Sequence, residues 1–218
     1  DYLKKIHPQD ISFSEKLEYL KEITDVMNEK IDLKSTQAIY SEFYGKKIFV
    51  NSEGSEILWH PQGIQLIGIC MAMNHKNMPS QGIESIYTKL GLEYFNNKEC
   101  SPEYIGNQAA KKCKEKLNAK AIKSDRYRAL IGPVLAGTLA HESFGHLSEA
   151  DRIVNEISPL ANQLGNQLGS EATTIVDNGI MDLNSSLFLP FDDQGMPTQK
   201  KVLLEDGVLK GFLNNRST

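Results

Sequence analysis

The stretch Leu139-Ala140-His141-Glu142-Ser143-Phe144-Gly145-His146-Leu147-Ser148-Glu149-Ala150-Asp151 decides how the rest of the chain is read. From His141 to Asp151 it holds two histidines, two glutamates and an aspartate. It follows Gly132-Pro133 and an apolar run, the setting in which a helix opens. Two imidazoles and a carboxylate at short range are the donor set of a zinc hydrolase, with ligands for the metal and a base for its water. In the familiar His-Glu-x-x-His pattern the ligands lie four residues apart on one helix face. Here the histidines are five apart. An ideal helix turns about 100° per residue, so positions five apart diverge by about 140°. One widened turn, closed by an i→i+5 hydrogen bond, returns the second imidazole beneath the first. The spacing therefore predicts a bulge or an early helix end near Gly145, whose backbone freedom makes the distortion affordable.

On this reading His141 and His146 bind zinc as neutral imidazoles, and Glu142 takes the proton of the attacking water. Glu149 and Asp151 are either a third ligand or, in the favoured assignment, acceptors that orient an imidazole N–H. The competing reading is a non-catalytic binding or assembly module in which the histidine pair is structural.

Upstream, Ser12-Phe13-Ser14-Glu15 fits a capping box. Phe13, Leu17, Leu20, Ile23, Met27 and Ile31 then recur at helical spacing and predict a core-facing stripe on a helix ending near Lys30. From Thr36 the period shortens. Strands are expected over 37–44, 46–50, 55–59 and 63–74, with Asn51-Ser52-Glu53-Gly54 as a turn; such short connections imply antiparallel pairing. His60 and His75 stand beside turns and read as exposed structural residues. Residues 82–96 allow a helix that Gly91 interrupts. Ser101-Pro102 opens a clearer helix whose face Ile105, Ala109, Cys113 and Leu117 should be buried. Its lysines 111, 112, 114 and 116 form the solvated side.

Residues 118–125 are polar and read as a linker. Beyond it, Tyr127–Ile131 is a buried-strand candidate, and Leu135, Leu139, Phe144 and Leu147 should pack. Pro159, Gly165 and Gly169 mark an irregular, mobile segment over 158–170. Strands are expected over 172–176, 187–191 and 201–205, and Asp206-Gly207 is a strong hairpin signal. The fold class is therefore α+β: antiparallel sheets with packed helices, an N-terminal α/β part over 1–120, then the start of a β-rich catalytic domain over 121–218.

With 40% hydrophobic and 24% charged residues the chain has a soluble globular composition. A net charge of −4 and scattered lysines argue against a nucleic-acid partner, and no apolar run is long enough to span a membrane. The N-terminal residues lack the apolar core of a signal peptide. Three cysteines, Cys70, Cys100 and Cys113, fit no zinc ribbon and read as reduced thiols.

His141-Glu142-x-x-Gly145-His146-x-x-Glu149-x-Asp151 resembles the signature of the TldD/PmbA metallopeptidase family, once called modulators of DNA gyrase. Three later segments resemble family segments in the same order: 176–179, 192–197 and 204–211. Asn51–Gly54 resembles a turn of the family's N-terminal domain. The presence of the histidine motif matches the TldD-like, catalytic kind of subunit rather than the PmbA/TldE-like kind. The resemblance implies a cytoplasmic zinc peptidase that acts on short or unfolded peptides. It also implies a homodimer, or a heterodimer with a PmbA/TldE-like subunit. In the family the third zinc ligand is a C-terminal cysteine, which Cys70, Cys100 and Cys113 do not match. On this ground the chain is expected to be an internal fragment with little activity of its own.

Overall fold

The computed structural model describes residues 7–179 and 189–218. They form two compact units, one up to Lys123 and one from Ser124 onward. Both mix helices with antiparallel strands, so the α+β class holds.

In the first unit Ser12 caps α1 (Phe13–Lys30): Glu15 donates its backbone N–H to Ser12 Oγ, and the Glu15 carboxylate accepts from the Ser12 backbone N–H. The strands β1 (Ser35–Tyr44), β4 (Gln62–Met73) and β5 (Pro79–Thr88) make an antiparallel sheet in the order β1-β4-β5. Between β1 and β4 the chain makes a separate hairpin, β2 (Lys47–Val50) with β3 (Glu56–Trp59). Its turn is closed by Asn51 Oδ1, which accepts from the Glu53 and Ser55 N–H groups, and Gly54 takes φ +88°. α2 (Pro102–Leu117), capped by Ser101, packs with α1 on the face of the sheet that carries Ile64, Leu66, Cys70 and Ala72. Ile23, Met27, Phe95, Ile105, Ala109 and Cys113 complete this core.

The apolar stripe of α1 is buried only where a partner lies against it. Ile23 and Met27 are fully buried, whereas Phe13 is 76% exposed and Leu17 is exposed as well. Residues 82–96 are not a helix. β5 runs to Thr88, and a 3₁₀ turn covers Leu92–Asn96. Pairing with the central strand β4 along its whole length outweighs the helical spacing of the apolar residues. His60 and His75 are exposed, as expected.

The second unit holds α3 (Pro133–Ala140), a widened turn over His141–Gly145, a 3₁₀ turn over His146–Ser148 and α4 (Ala150–Val154). A small antiparallel sheet follows, in the order β6 (Ile175–Asn178), β7 (Lys200–Glu205) and β8 (Val208–Leu209). Asp206 and Gly207, at φ +49° and +77°, join β7 to β8 as the Asp-Gly signal requires. Leu160, Leu204 and Leu209 form the core, with Phe144, Leu147, Ile153, Ile175 and Phe212 packed on it.

Two expectations fail here. Tyr127–Ile131 is neither a strand nor buried, and Leu130 is fully exposed; an apolar pentapeptide does not become a strand unless an edge takes it up. Leu135 and Leu139 are exposed on α3, and only Phe144 and Leu147 of the expected set pack. The segment 158–170 is irregular but anchored: Leu168 N–H and Gly169 N–H donate to Gly207 O, and Leu209 N–H donates to Asn166 O. The strand expected over 187–191 falls partly outside the described residues.

Gly82 in β5 lies under α2. A Cβ there would come within 1.9 Å of Ala109 O and 2.7 Å of the Cys113 backbone nitrogen. Backbone atoms of a packed helix cannot yield cheaply, so Gly82→Ala should destabilise the first unit by about 3 kcal/mol, at the upper end of overpacking costs. Urea unfolding followed by far-UV circular dichroism reads this, and an unchanged midpoint contradicts the packing. Burial, and then the adjacent Cys113 thiol, push the Cys70 thiol up from 9.0 to about 11. The folded chain holds that proton more tightly than the unfolded one. Stability is therefore intact below about pH 9 and falls as the pH rises to about 11. Cys70→Ala should flatten the stability profile in that window, and an unaltered slope would exclude Cys70 as the titrating group.

Candidate metal centre

The predicted i→i+5 bond is present: the His146 backbone N–H donates to His141 O. Widening the turn by one residue carries His146 round to the side of His141. The ring centroids lie 4.5 Å apart, edge to face at 72°. Glu142 closes the group, with its Oε2 4.0 Å from His146 Nε2. Ligand atoms of His141, Glu142 and His146 all fall within 4.8 Å of one another, the sole such group of three among the described residues.

Gly145 does not bring this about in the expected way. It has φ −55° and ψ −55°, a right-handed helical conformation open to any residue. A Cβ there would meet its nearest atom, Ala140 O, at 3.8 Å, an ordinary contact. What holds the widened turn is the set of groups around it. Phe144 and Leu147 pack, partly buried, against the core of the unit. Ser143 Oγ donates to Leu139 O at 2.5 Å, and Ser148 Oγ donates to Phe144 O at 2.9 Å. Both are bonds from a side chain to the carbonyl four residues back, one on each side of the widened turn. Ser158 Oγ donates to Leu147 O, so the segment 158–170 also buttresses the turn.

Glu149 lies beside His146. Its Oε1 is 2.8 Å from His146 Nδ1, and Arg152 Nε donates to its Oε2 at 2.8 Å. Hydrogen bonds from His146, and secondarily from Arg152, hold the Glu149 carboxyl below the usual carboxylate range. Asp151 goes elsewhere. It stands in the first turn of α4, where its Oδ1 accepts the Arg152 backbone N–H, and it reaches neither imidazole. Sequence reasoning missed Arg152, although a glutamate and an arginine three apart at a helix start are a readable ion-pair signal. Cys70 and Cys113 are buried in the core of the first unit.

Two imidazoles with a carboxylate beside them match the nitrogen and oxygen preference of zinc, and one turn presents all three. Glu142 is 65% exposed and His146 45%, so the cluster is open to small molecules.

Both units of the chain are similar to known proteins. Residues 6–117, read above as part of an N-terminal domain, match the family model of the PmbA/TldA metallopeptidase central domain. Residues 124–218 match the model of its C-terminal domain. The chain is 32% identical to a metalloprotease of Methanocaldococcus jannaschii, over 98% of this chain and 46% of that protein. It is 27% identical to a zinc metalloprotease TldD homolog of Saccharolobus solfataricus, over 81% of this chain and 38% of that one. A crystal structure from Thermotoga maritima, described as a modulator of a DNA gyrase, superposes with a TM-score of 0.80 at 26% identity, over 99% of this chain and 48% of that one. The fold of TldE from Thermococcus kodakarensis is also similar, with a TM-score of 0.68 at 20% identity, over 90% of this chain and 44% of that one. The chain thus spans about half the length, or less, of the relatives it matches. With both of its units matched by successive domain models of one family, the chain belongs to the PmbA/TldD metallopeptidases.

Proposed function

We propose that this chain carries the metal-binding and general-base residues of a zinc-dependent peptidase of the TldD kind. The observation that carries the reading is the i→i+5 bond at His141, which gathers His141, Glu142 and His146 within 4.8 Å. His141 and His146 would hold the zinc through imidazole nitrogens. Bound zinc supplies a Lewis acid that lowers the pKa of water to about 7 and polarises a carbonyl. Glu142, exposed beside the histidines, accepts the proton of the attacking water at its carboxylate and returns it to the leaving amine. Glu149 holds His146 by its Nδ1 side and leaves Nε2 on the side of Glu142. Two protein ligands are one short of the usual catalytic zinc set. The third would be the C-terminal cysteine that the family resemblance implies.

The substrates we infer are short or unfolded peptides, bound through their backbone as an added strand, a mode that tolerates many sequences. The working assembly would be a homodimer or a pair with a PmbA/TldE-like subunit, in the cytoplasm. No helix among the described residues is long and apolar enough to cross a membrane.

In the full-length protein Glu142→Ala should lower kcat for peptide cleavage about 10²- to 10⁴-fold, the range for removing a general base, with zinc content unchanged. Peptide turnover and metal analysis read the two effects separately. Cleavage at the wild-type rate would overturn the assignment of Glu142. His141→Ala and His146→Ala should each lower zinc content. Full zinc occupancy in both variants would overturn the metal site and favour a structural histidine pair.

A further inference from the structure

Arg152 reaches the metal cluster only through another side chain, and its contact there uses an atom that His146 leaves free. Glu149 spends one carboxylate oxygen on His146 Nδ1 and the other on Arg152 Nε, both at 2.8 Å. A carboxylate on a free side chain can rotate away from a ring nitrogen. One held at its far oxygen by a guanidinium loses that freedom, and charge-assisted bonds of this length are the stronger kind. The backbone beneath this chain of contacts is anchored as well. Glu149 has an extended ψ of 120° and forms a parallel bridge with Leu213. Leu213 N–H donates to Ser148 O, and Ala150 N–H donates to Leu213 O. Arg152 O accepts from both Ile157 N–H and Ser158 N–H, which ties down the residue that presents the guanidinium.

We propose that Arg152 is a positioning residue for His146. By clamping Glu149 Oε2 it keeps Oε1 on Nδ1, so the ring carries its proton at Nδ1 and keeps the Nε2 lone pair toward Glu142 and His141. Its part in metal binding rests on the reading of His146 as a ligand. The arrangement of Arg152, Glu149 and the ring proton does not.

Two measurements separate those layers. The first is ¹⁵N NMR of the His146 ring in metal-free protein at a pH where the ring is neutral. Wild type should show the Nδ1–H tautomer. In Arg152→Ala the ratio of Nδ1–H to Nε2–H should fall about threefold to tenfold, the effect of losing one ordinary hydrogen bond. Arg152→Lys should restore part of it. Amide spectra confirm that each variant is folded. The same ratio in wild type and Arg152→Ala overturns the proposal.

The second measurement is zinc affinity of the full-length protein by competition with a chromophoric chelator. Glu149→Ala should weaken binding about 10- to 100-fold, as loss of a carboxylate that orients a ligating histidine does. Arg152→Ala should weaken it less, and should add nothing in a Glu149→Ala background. An equal loss in both backgrounds means that Arg152 acts by another route and overturns the proposal. If the full-length protein binds no zinc through His141 and His146, the metal reading fails, and the tautomer ratio still decides whether Arg152 positions the ring.

Discussion

The His146 N–H to His141 C=O bond is the constraint on which the rest of the site depends. In a regular helix that N–H would go to Glu142 O, and the imidazoles would diverge by about 140°. Skipping Glu142 O costs a well-formed bond. On either side of the turn the Ser143 and Ser148 hydroxyls donate to Leu139 O and Phe144 O. Packing accompanies it: Phe144 and Leu147 lie partly buried against the core, while His141, Glu142 and Ser143 are exposed. Full burial of such a side chain is worth roughly 1.5–3 kcal/mol, and the partial burial of these two contributes a share of that to the irregular turn.

The second constraint is the exit from that turn. Glu149 leaves the helical region of backbone space and is joined to Leu213 as a strand residue would be. Leu213 lies four residues beyond β8, so the hairpin closed by Asp206 and Gly207 sets the position of the residue that holds His146. The irregular segment 158–170 adds to this frame from the other side: Ser158 takes Leu147 O, and Gly165 through Gly169 bond to the β7-β8 hairpin. A turn, a hairpin and a coil segment thus converge on one short stretch without a long helix among them.

What the sequence made legible follows from the range of each interaction. The capping box at Ser12, the Asn51 turn, the Asp-Gly hairpin and the widened turn at His141 are local. Each is decided by residues within about five positions, and all four are present. Burial depends on partners far along the chain. For that reason Phe13, Leu17, Leu130 and Leu135 read as core and are exposed. Most of β5 lies in the stretch 82–96, whose apolar spacing allows a helix, and only its pairing with β4 along ten positions resolves the ambiguity. Gly145 was a right position with a wrong reason: its φ is helical, and the space around it would admit a methyl group.

The turn also separates two glutamates that composition alone would treat alike. Glu149 is within 2.8 Å of one ring nitrogen of His146, while Glu142 stays 4.0 Å from the other. The first distance is a hydrogen bond, and the second is too long to be one. Glu149 also has an arginine on its second oxygen, so its charge is engaged on both sides. Glu142 is the more exposed of the two, its nearest partner being that long contact, and its oxygens stay open to a water or an incoming substrate. A carboxylate locked into an ion pair makes a poor proton acceptor, because the pairing that lowers its pKa also lowers its basicity. Separating a held carboxylate from an open one is therefore what this geometry contributes chemically. It follows from the register shift at His146: that shift sets the ring between Glu142 and Glu149, with a different nitrogen toward each.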